Sequence, residues 1–193
     1  DEFTRFISIR LIVTKDEATE HVIEWTRFGE RMHGIPLRIM HSDNGGEYTS
    51  TRIRDWARAK GVVMEFTNGM AERANQTIEE MARAMMCEAG LPARMFWPFA
   101  IEVATKVCNY RPHPTNQQTT PFMEWFKVRP HIGRLRVFGC DAFTHILKPD
   151  RAGKMCARSY AGVMVGYDEA RPPAWRIYIP ETRQTVSSSS VTF

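Results

Sequence analysis

The 193-residue sequence predicts an α/β fold followed by a small β-rich module. Three observations carry that expectation. Between residues 3 and 66, runs rich in β-branched and aromatic residues alternate with helical spacing. Between residues 69 and 110, two long helical patterns follow one another. Beyond residue 128, short apolar runs are separated by Pro, Gly and Asp.

Each element has a local reason. Phe3 to Val13 is rich in Phe, Ile and Val and reads as a strand. Thr14-Lys15-Asp16-Glu17 is a capping box, its hydroxyl and carboxylate suited to the first free amides of a helix. Ala18, Val22, Trp25 and Met32 hold one face of that helix, and Gly34 ends it. Ile35 to Met40 reads as a second strand running into His41-Ser42-Asp43-Asn44-Gly45-Gly46. Ser50 to Lys60 is a short helix with Ile53 and Trp56 inward and Gly61 as terminator. Val62 to Phe66 is a third strand.

Ala74, Ile78, Met81, Ala82, Met85 and Ala89 then repeat at helical spacing up to Gly90. A further helix covers Ala93 to Tyr110, with Pro98 marking its first turn or a kink. Arg111 to Thr120 reads as a connection. Leu135 to Cys140, Ala142 to Leu147, Ala161 to Gly166, Trp175 to Ile179 and Thr185 to Thr192 are short strands. The expected boundary lies near residue 128, giving a core over 1–127 and a basic β-rich module over 128–193.

Composition narrows the class only modestly. With 43% hydrophobic and 25% charged residues, the chain reads as an ordinary globular polypeptide. No apolar run approaches a membrane span, and Asp1 to Arg5 lacks a signal-peptide layout, so neither a membrane nor a secreted setting is expected. The start, without Met, reads as an internal position in a longer protein. Cys87, Cys108, Cys140 and Cys156 are widely spread, which points to buried reduced thiols rather than a zinc site or disulfide framework. Residues 1–67 carry 10 basic and 11 acidic side chains, 68–127 carry 6 and 6, and 128–193 carry 10 and 5. The positive excess therefore sits in the last third, where it either attracts phosphates or simply solvates a surface.

Two acids stand where chemistry is to be expected. In a strand–helix sheet, functional groups gather at the carboxyl ends of strands, and Asp43 follows one such end. Glu72 lies in the first turn of the clearest helix. Two carboxylates meeting at one point repel unless cations lie between them, and paired magnesium ions are a known arrangement for phosphoryl transfer. Each acid also has a purely structural reading, Asp43 as a turn former and Glu72 as a helix N-terminal residue.

The motifs taken together are more specific. His41-Ser42-Asp43-Asn44-Gly45-Gly46-Glu47-Tyr48 and Asn68-Gly69-Met70-Ala71-Glu72-Arg73-Ala74-Asn75 resemble the two signature blocks of copia-type retrotransposon integrases. Further matches follow in order: Pro92 with Phe96-Trp97, Asn109 with Arg111-Pro112, Thr120-Pro121 with Glu124-Trp125-Phe126, Leu135 to Cys140, Val165-Gly166-Tyr167, and Tyr178 with Pro180-Glu181-Thr182. So many collinear matches discriminate far better than one motif.

The resemblance implies an RNase H-like mixed sheet with flanking helices and a DDE active site for metal-dependent cleavage and strand transfer. Asp43 is similar to the second catalytic Asp and Glu72 to the catalytic Glu, both as metal ligands for two Mg ions, with Mn as a substitute. Arg73 and Asn75 are candidate DNA contacts beside Glu72. In the basic module, Arg134, Arg136, Lys148 and Lys154 are candidate phosphate contacts. The implied partners are element-end and target DNA and further copies of the chain, in a nuclear and cytoplasmic retrotransposon particle.

Two departures qualify the resemblance. Asp1 to Arg5 resembles the family's D-D-F-S-R block, which lies after the first catalytic Asp and its central strand. The 193-residue chain alone is therefore expected to be inactive. Between Thr67 and Asn68 the chain lacks a loop of about seven residues found in the family, so Glu72 follows Asp43 by only 29 positions. An omitted stretch explains this better than a degenerate element. A domesticated or degenerate copy that only binds nucleic acid or protein is the alternative function, and a nuclease without joining activity is a third.

Overall fold

The computed structural model describes residues 1–42, 45–66, 69–114, 118–146 and 157–193. It is a mixed α/β protein in two compact units, one formed by Arg10–Gln76 and the other by Asp1–Ile9 with Thr77–Phe193. The boundary expected at 127/128 falls inside the second of these. Thr67–Asn68, where the sequence suggests an omitted loop, lies outside the described residues.

The Arg10–Gln76 unit contains α1 (Asp16–His33), β1 (Ile39–Ser42), α2 (Gly46–Thr49), α3 (Thr51–Lys60), β2 (Val63–Phe66) and the first turns of α4 (Gly69–Ala89). Half of the expected capping box forms. The Glu17 carboxylate accepts the Thr14 amide at 3.1 Å and the Thr14 hydroxyl at 2.9 Å, so that hydroxyl is turned to Glu17. The buried stripe of α1 is Thr19 and Ile23 rather than the expected face; Trp25 and Met32 stay exposed, and Trp25 packs against Phe28. Glu30, one turn from the end of α1, accepts the Leu37 amide at 3.1 Å and pairs with Lys60 of α3. That carboxylate therefore ties α1 both to the segment entering β1 and to α3. A second ion pair, Arg52 with Glu20, repeats the link.

Helix α3 buries Ile53 and Ala57, one turn apart, and ends in a Schellman turn: Gly61 is left-handed and the Val62 amide reaches back to Ala57 at 2.8 Å. β1 and β2 pair in parallel, Ile39 opposite Val63 through Ser42 opposite Phe66. The first of these strands begins four residues later than expected. Ile35, predicted as strand, is exposed outside it.

The other unit packs the remainder of α4 and α5 (Ala93–Tyr110) against a five-stranded antiparallel sheet. Its strands are β3 (Asp141–His145), β4 (Ser159–Asp168), β5 (Ala174–Ile179), β6 (Gln184–Ser188) and β7 (Val191–Thr192), in the order β6-β5-β4-β3-β7. Alternation along β4 explains the layering. Val165 joins Ile78, Ala82, Phe96, Ala100, Val103, Ala104, Cys108 and Phe138 on the helical side, whereas Met164 meets Ala142 and Ile177 on the other. Both neighbours are fully buried, so this strand is covered on both faces.

Two expected strands do not form. The expected strand over Phe3 to Val13 joins no ladder among the described residues. At Ile7 a side chain takes the ladder's place: Asn109 accepts the Ile7 amide at 2.9 Å and donates to the Ile7 carbonyl at 2.7 Å. Phe6 meanwhile stacks on Trp125 and meets Phe126 edge-on. These aromatics belong to α6 (Pro121–Phe126), a helix the sequence reading missed, which Thr120 caps by accepting the Met123 amide at 3.2 Å. Leu135 to Cys140 is likewise not a strand. It follows a 3-10 turn, η1 (Ile132–Arg134), and passes through Gly139 at φ 78°. A Cβ on Gly139 would lie 2.3 Å from the Ala89 Cβ, so both the backbone conformation and the close approach of α4 require glycine.

Among the described residues, no helix is long and apolar enough to cross a membrane.

Candidate functional site

The parallel register defines one end of the β1–β2 pair. Ser42 and Phe66 are its last partners, and each strand leaves the pair at its carboxyl end. Ser42 is buried and directly precedes Asp43; Phe66 is followed three positions later by Gly69, where α4 begins. One rung earlier, His41 Nδ1 lies 3.4 Å from the Glu65 carboxylate, a cross-strand pair that alternation within the two runs could have suggested.

Asp43 lies outside the described residues. Glu72 sits in the first turn of α4 and is exposed. The positive end of a helix favours an anionic side chain at that position. Arg73 folds back along the helix, its guanidinium 3.1 Å from where a Gly69 Cβ would stand; Asn75 is exposed on the following turn. Glu72, Arg73 and Asn75 are all exposed within the first two turns of α4. Among the described residues, no group of three or more His, Cys, Asp or Glu side chains is arranged to hold a metal ion. Of the two carboxylates read as metal ligands, Glu72 alone is among the described residues, and a carboxylate oxygen is a hard donor of the kind magnesium and manganese take.

The basic candidates separate. Lys148 and Lys154 lie outside the described residues. Arg134 is exposed at the end of η1, while its carbonyl accepts the Trp175 indole N–H at 3.2 Å. Arg136 is half-buried and engaged: its guanidinium donates to the carbonyls of Leu135 at 2.8 Å and Gly133 at 3.1 Å and lies over the Trp175 and Phe193 rings. That arrangement fixes the segment entering β3 against the sheet, in addition to any phosphate it meets. Of the aromatics expected in the core, Phe138 is buried, Tyr160, Tyr167 and Trp175 are half-buried, and Phe143 is 47% exposed.

The cysteines also separate. Cys108 is buried, and burial pushes its thiol pKa up; Cys140 is half-buried with the same direction and cause; Cys87 is exposed, contrary to the expected burial. Cys156 lies outside the described residues.

Sequence reading passed over a group around Lys106. Its ammonium pairs with Glu169 and lies 5.0 Å from the Tyr110 ring centre and 4.9 Å from that of Tyr167. Burial opposes the charge most strongly, yet the Glu169 carboxylate outweighs it with help from Tyr110, and the lysine pKa is raised. The i, i+4 spacing of Lys106 and Tyr110 was the available signal.

Comparison with known proteins finds similarity to parts of retrovirus-related proteins. The retroviral polymerase SH3-like domain family matches residues 140–193, the span of β3 to β7. The retrovirus-related Pol polyprotein from transposon TNT 1-94 of Nicotiana tabacum is 31% identical over 200 aligned positions, covering 100% of this chain and 15% of that protein. Its counterpart from transposon RE2 of Arabidopsis thaliana is 28% identical over 191 positions, covering 95% and 13%. The HTLV-2 integrase catalytic core domain in complex with magnesium (trimeric form) aligns at a TM-score of 0.46 with 18% identity, over 64% of this chain and 78% of that one. The chain thus spans less than a sixth of either Pol polyprotein. It is a homologue, along its whole length, of a segment of the retrovirus-related Pol polyproteins of plant transposons.

Proposed function

We propose that this segment is the integrase region of a copia-type retrotransposon, with an RNase H-like core that cuts element ends and joins them to target DNA in the parent protein. One observation carries the reading: in the register of β1 and β2, the residue before Asp43 is opposite Phe66, and the chain from Phe66 enters the helix that bears Glu72 in its first turn. Parallel pairing sends both strands out at the same end, where an α/β sheet collects its functional groups.

On this reading Asp43 and Glu72 would hold two magnesium ions, which would supply electrostatic stabilisation for phosphoryl transfer. Arg73 and Asn75 contact the DNA strand beside the acids, and Arg134, Arg136, Lys148 and Lys154 contact phosphates further along. The active assembly is an oligomer of this chain on DNA, in a particle that passes between cytoplasm and nucleus.

The test is strand transfer by the parent protein. Asp43→Asn and Glu72→Gln should each abolish magnesium-dependent joining of an element-end duplex while preserving duplex binding. Joining at the unmodified rate in either variant sinks the proposal. A parent protein that binds DNA but never cuts or joins it would instead be a domesticated or degenerate binding module. Cleaved DNA without joined product would identify a nuclease.

A further inference from the structure

A cleft of about 280 Å³ opens in the Asp1–Ile9/Thr77–Phe193 unit, between α5, the segment 128–135 and the β4–β5 turn. Tyr110, Phe122, Tyr167 and Trp175 are among its lining side chains. Its charges are unevenly committed. Of its two acids, Glu169 pairs with Lys106, and Asp168 accepts the Ala170 amide at 3.0 Å and bonds to Ser187. Three cationic or protonatable side chains on the same cleft, Arg129, His131 and Arg134, have no hydrogen-bond or ion-pair partner among the described residues. The acids are thus satisfied internally while the guanidinium groups remain available.

We infer that this cleft holds a single unpaired nucleotide of a nucleic-acid strand, its base against the aromatic side chains and its flanking phosphates on Arg129 and Arg134. Size supports a part of a ligand: small-molecule pockets run from roughly 300 to 1,000 Å³, and this one falls just below that range. A base presents a flat π face to aromatic rings whatever its identity, and guanidinium groups bind phosphate oxygens in bidentate fashion. An acidic aromatic peptide shares part of this chemistry. The choice of nucleic acid rests on the DNA-joining function proposed above.

Fluorescence anisotropy of the 193-residue chain with a labelled dT10 strand and with a blunt duplex tests the assignment. Charge reversal at the exposed pair, Arg129→Glu with Arg134→Glu, should weaken dT10 binding at least tenfold and reduce the steepness of its salt dependence by about 1.4, the share of two phosphates on a single strand. Equal reversal at exposed Arg83 and Arg94, away from the cleft, should change dT10 affinity less than twofold. Photocrosslinking with 4-thiothymidine in the unmodified chain should label peptides containing Tyr110 or Trp175, a readout independent of any variant's folding. Unchanged dT10 affinity in the Arg129/Arg134 variant, crosslinks confined to residues 69–76, or displacement of the strand by an acidic tyrosine-containing peptide at lower concentration than by free dT10 would overturn the assignment. If the parent protein fails to join DNA but binds dT10 at this cleft, the integrase function falls and the nucleotide site stands.

Discussion

The side-chain amide of Asn109 holds the backbone of Ile7 at both ends, accepting its N–H at 2.9 Å and donating to its C=O at 2.7 Å across 102 positions of sequence. Asn109 is itself buried near the end of α5, so it stands in for the strand partner that residues 3–9 lack. Asn109→Ala removes both bonds and leaves two backbone groups without that partner. A loss of about 1–3 kcal/mol is expected, seen as a lower urea midpoint and faster hydrogen exchange at Ile7. Asn109→Asp keeps the acceptor but turns a second oxygen toward the Ile7 carbonyl, and should cost at least as much. A midpoint unchanged in both variants would show that the amide merely occupies space.

Acid should weaken the protein through carboxylates already bonded in the folded state. Glu30 is held below its ordinary value of 4.5, first by Lys60 and then by the Leu37 amide; Glu17 is lowered by Thr14, and Asp168 by Ser187 and the Ala170 amide. A folded-state pKa below the unfolded one stabilises at pH values above the unfolded pKa and ceases to do so as pH falls through the folded one. The contribution of these three carboxylates should therefore be level near neutrality and decline from about pH 4.5 downward, measured as urea midpoints at pH 7, 4 and 3. Glu30→Gln should start lower at pH 7 and decline less. These carboxylates are solvent-accessible, so the effect is graded rather than a collapse.

How much was legible depended on whether the cause of an element lay nearby in sequence. α3 and α4 were readable because Ile53 in the first and Ile78 and Ala82 in the second stand on a helical face, and Gly61 and Gly90 stand where these helices end. Residues 3–9 were misread because their apolar content signals burial, while the choice between strand and irregular chain was made by Asn109. α6 carried a readable signal, Thr120 followed by Pro121 at the first helical position, but six residues are too few to establish a periodicity. For the candidate site, Glu72 in a first helical turn could be read locally. The cleft could not, since Lys106, Arg129 and Trp175 come from three separate elements.

Thiol reactivity should follow exposure and pKa. At pH 8 in native buffer, iodoacetamide should modify Cys87 rapidly, Cys140 slowly and Cys108 only on unfolding, because the thiolate is the nucleophile and burial disfavours it. Peptide mass mapping over a time course distinguishes the three. Modification of Cys108 at the rate of Cys87 would mean that the packing of α5 against β4 opens readily, since Cys108 lies in the cluster formed there with Val165.

The sharpest packing prediction concerns Gly139. Its amide donates to the Met164 carbonyl at 2.7 Å, the Met164 amide returns to Cys140 at 2.9 Å, and the intervening backbone at φ 78° passes directly beneath the C-terminal turn of α4. Adding one methyl group therefore incurs two costs. The left-handed conformation strains an alanine, and its Cβ, 2.3 Å from that of Ala89, must push α4 away from β4. Gly139→Ala should destabilise by about 2–4 kcal/mol. Shrinking the opposing residue by Ala89→Gly should relieve the steric part but not the backbone part, so the double variant should recover part of the loss despite the lower helix propensity of glycine. A Gly139→Ala variant with unchanged stability would require residues 135–140 to run differently from the path described; a double variant no better than the sum of its parts would place the whole cost in the backbone.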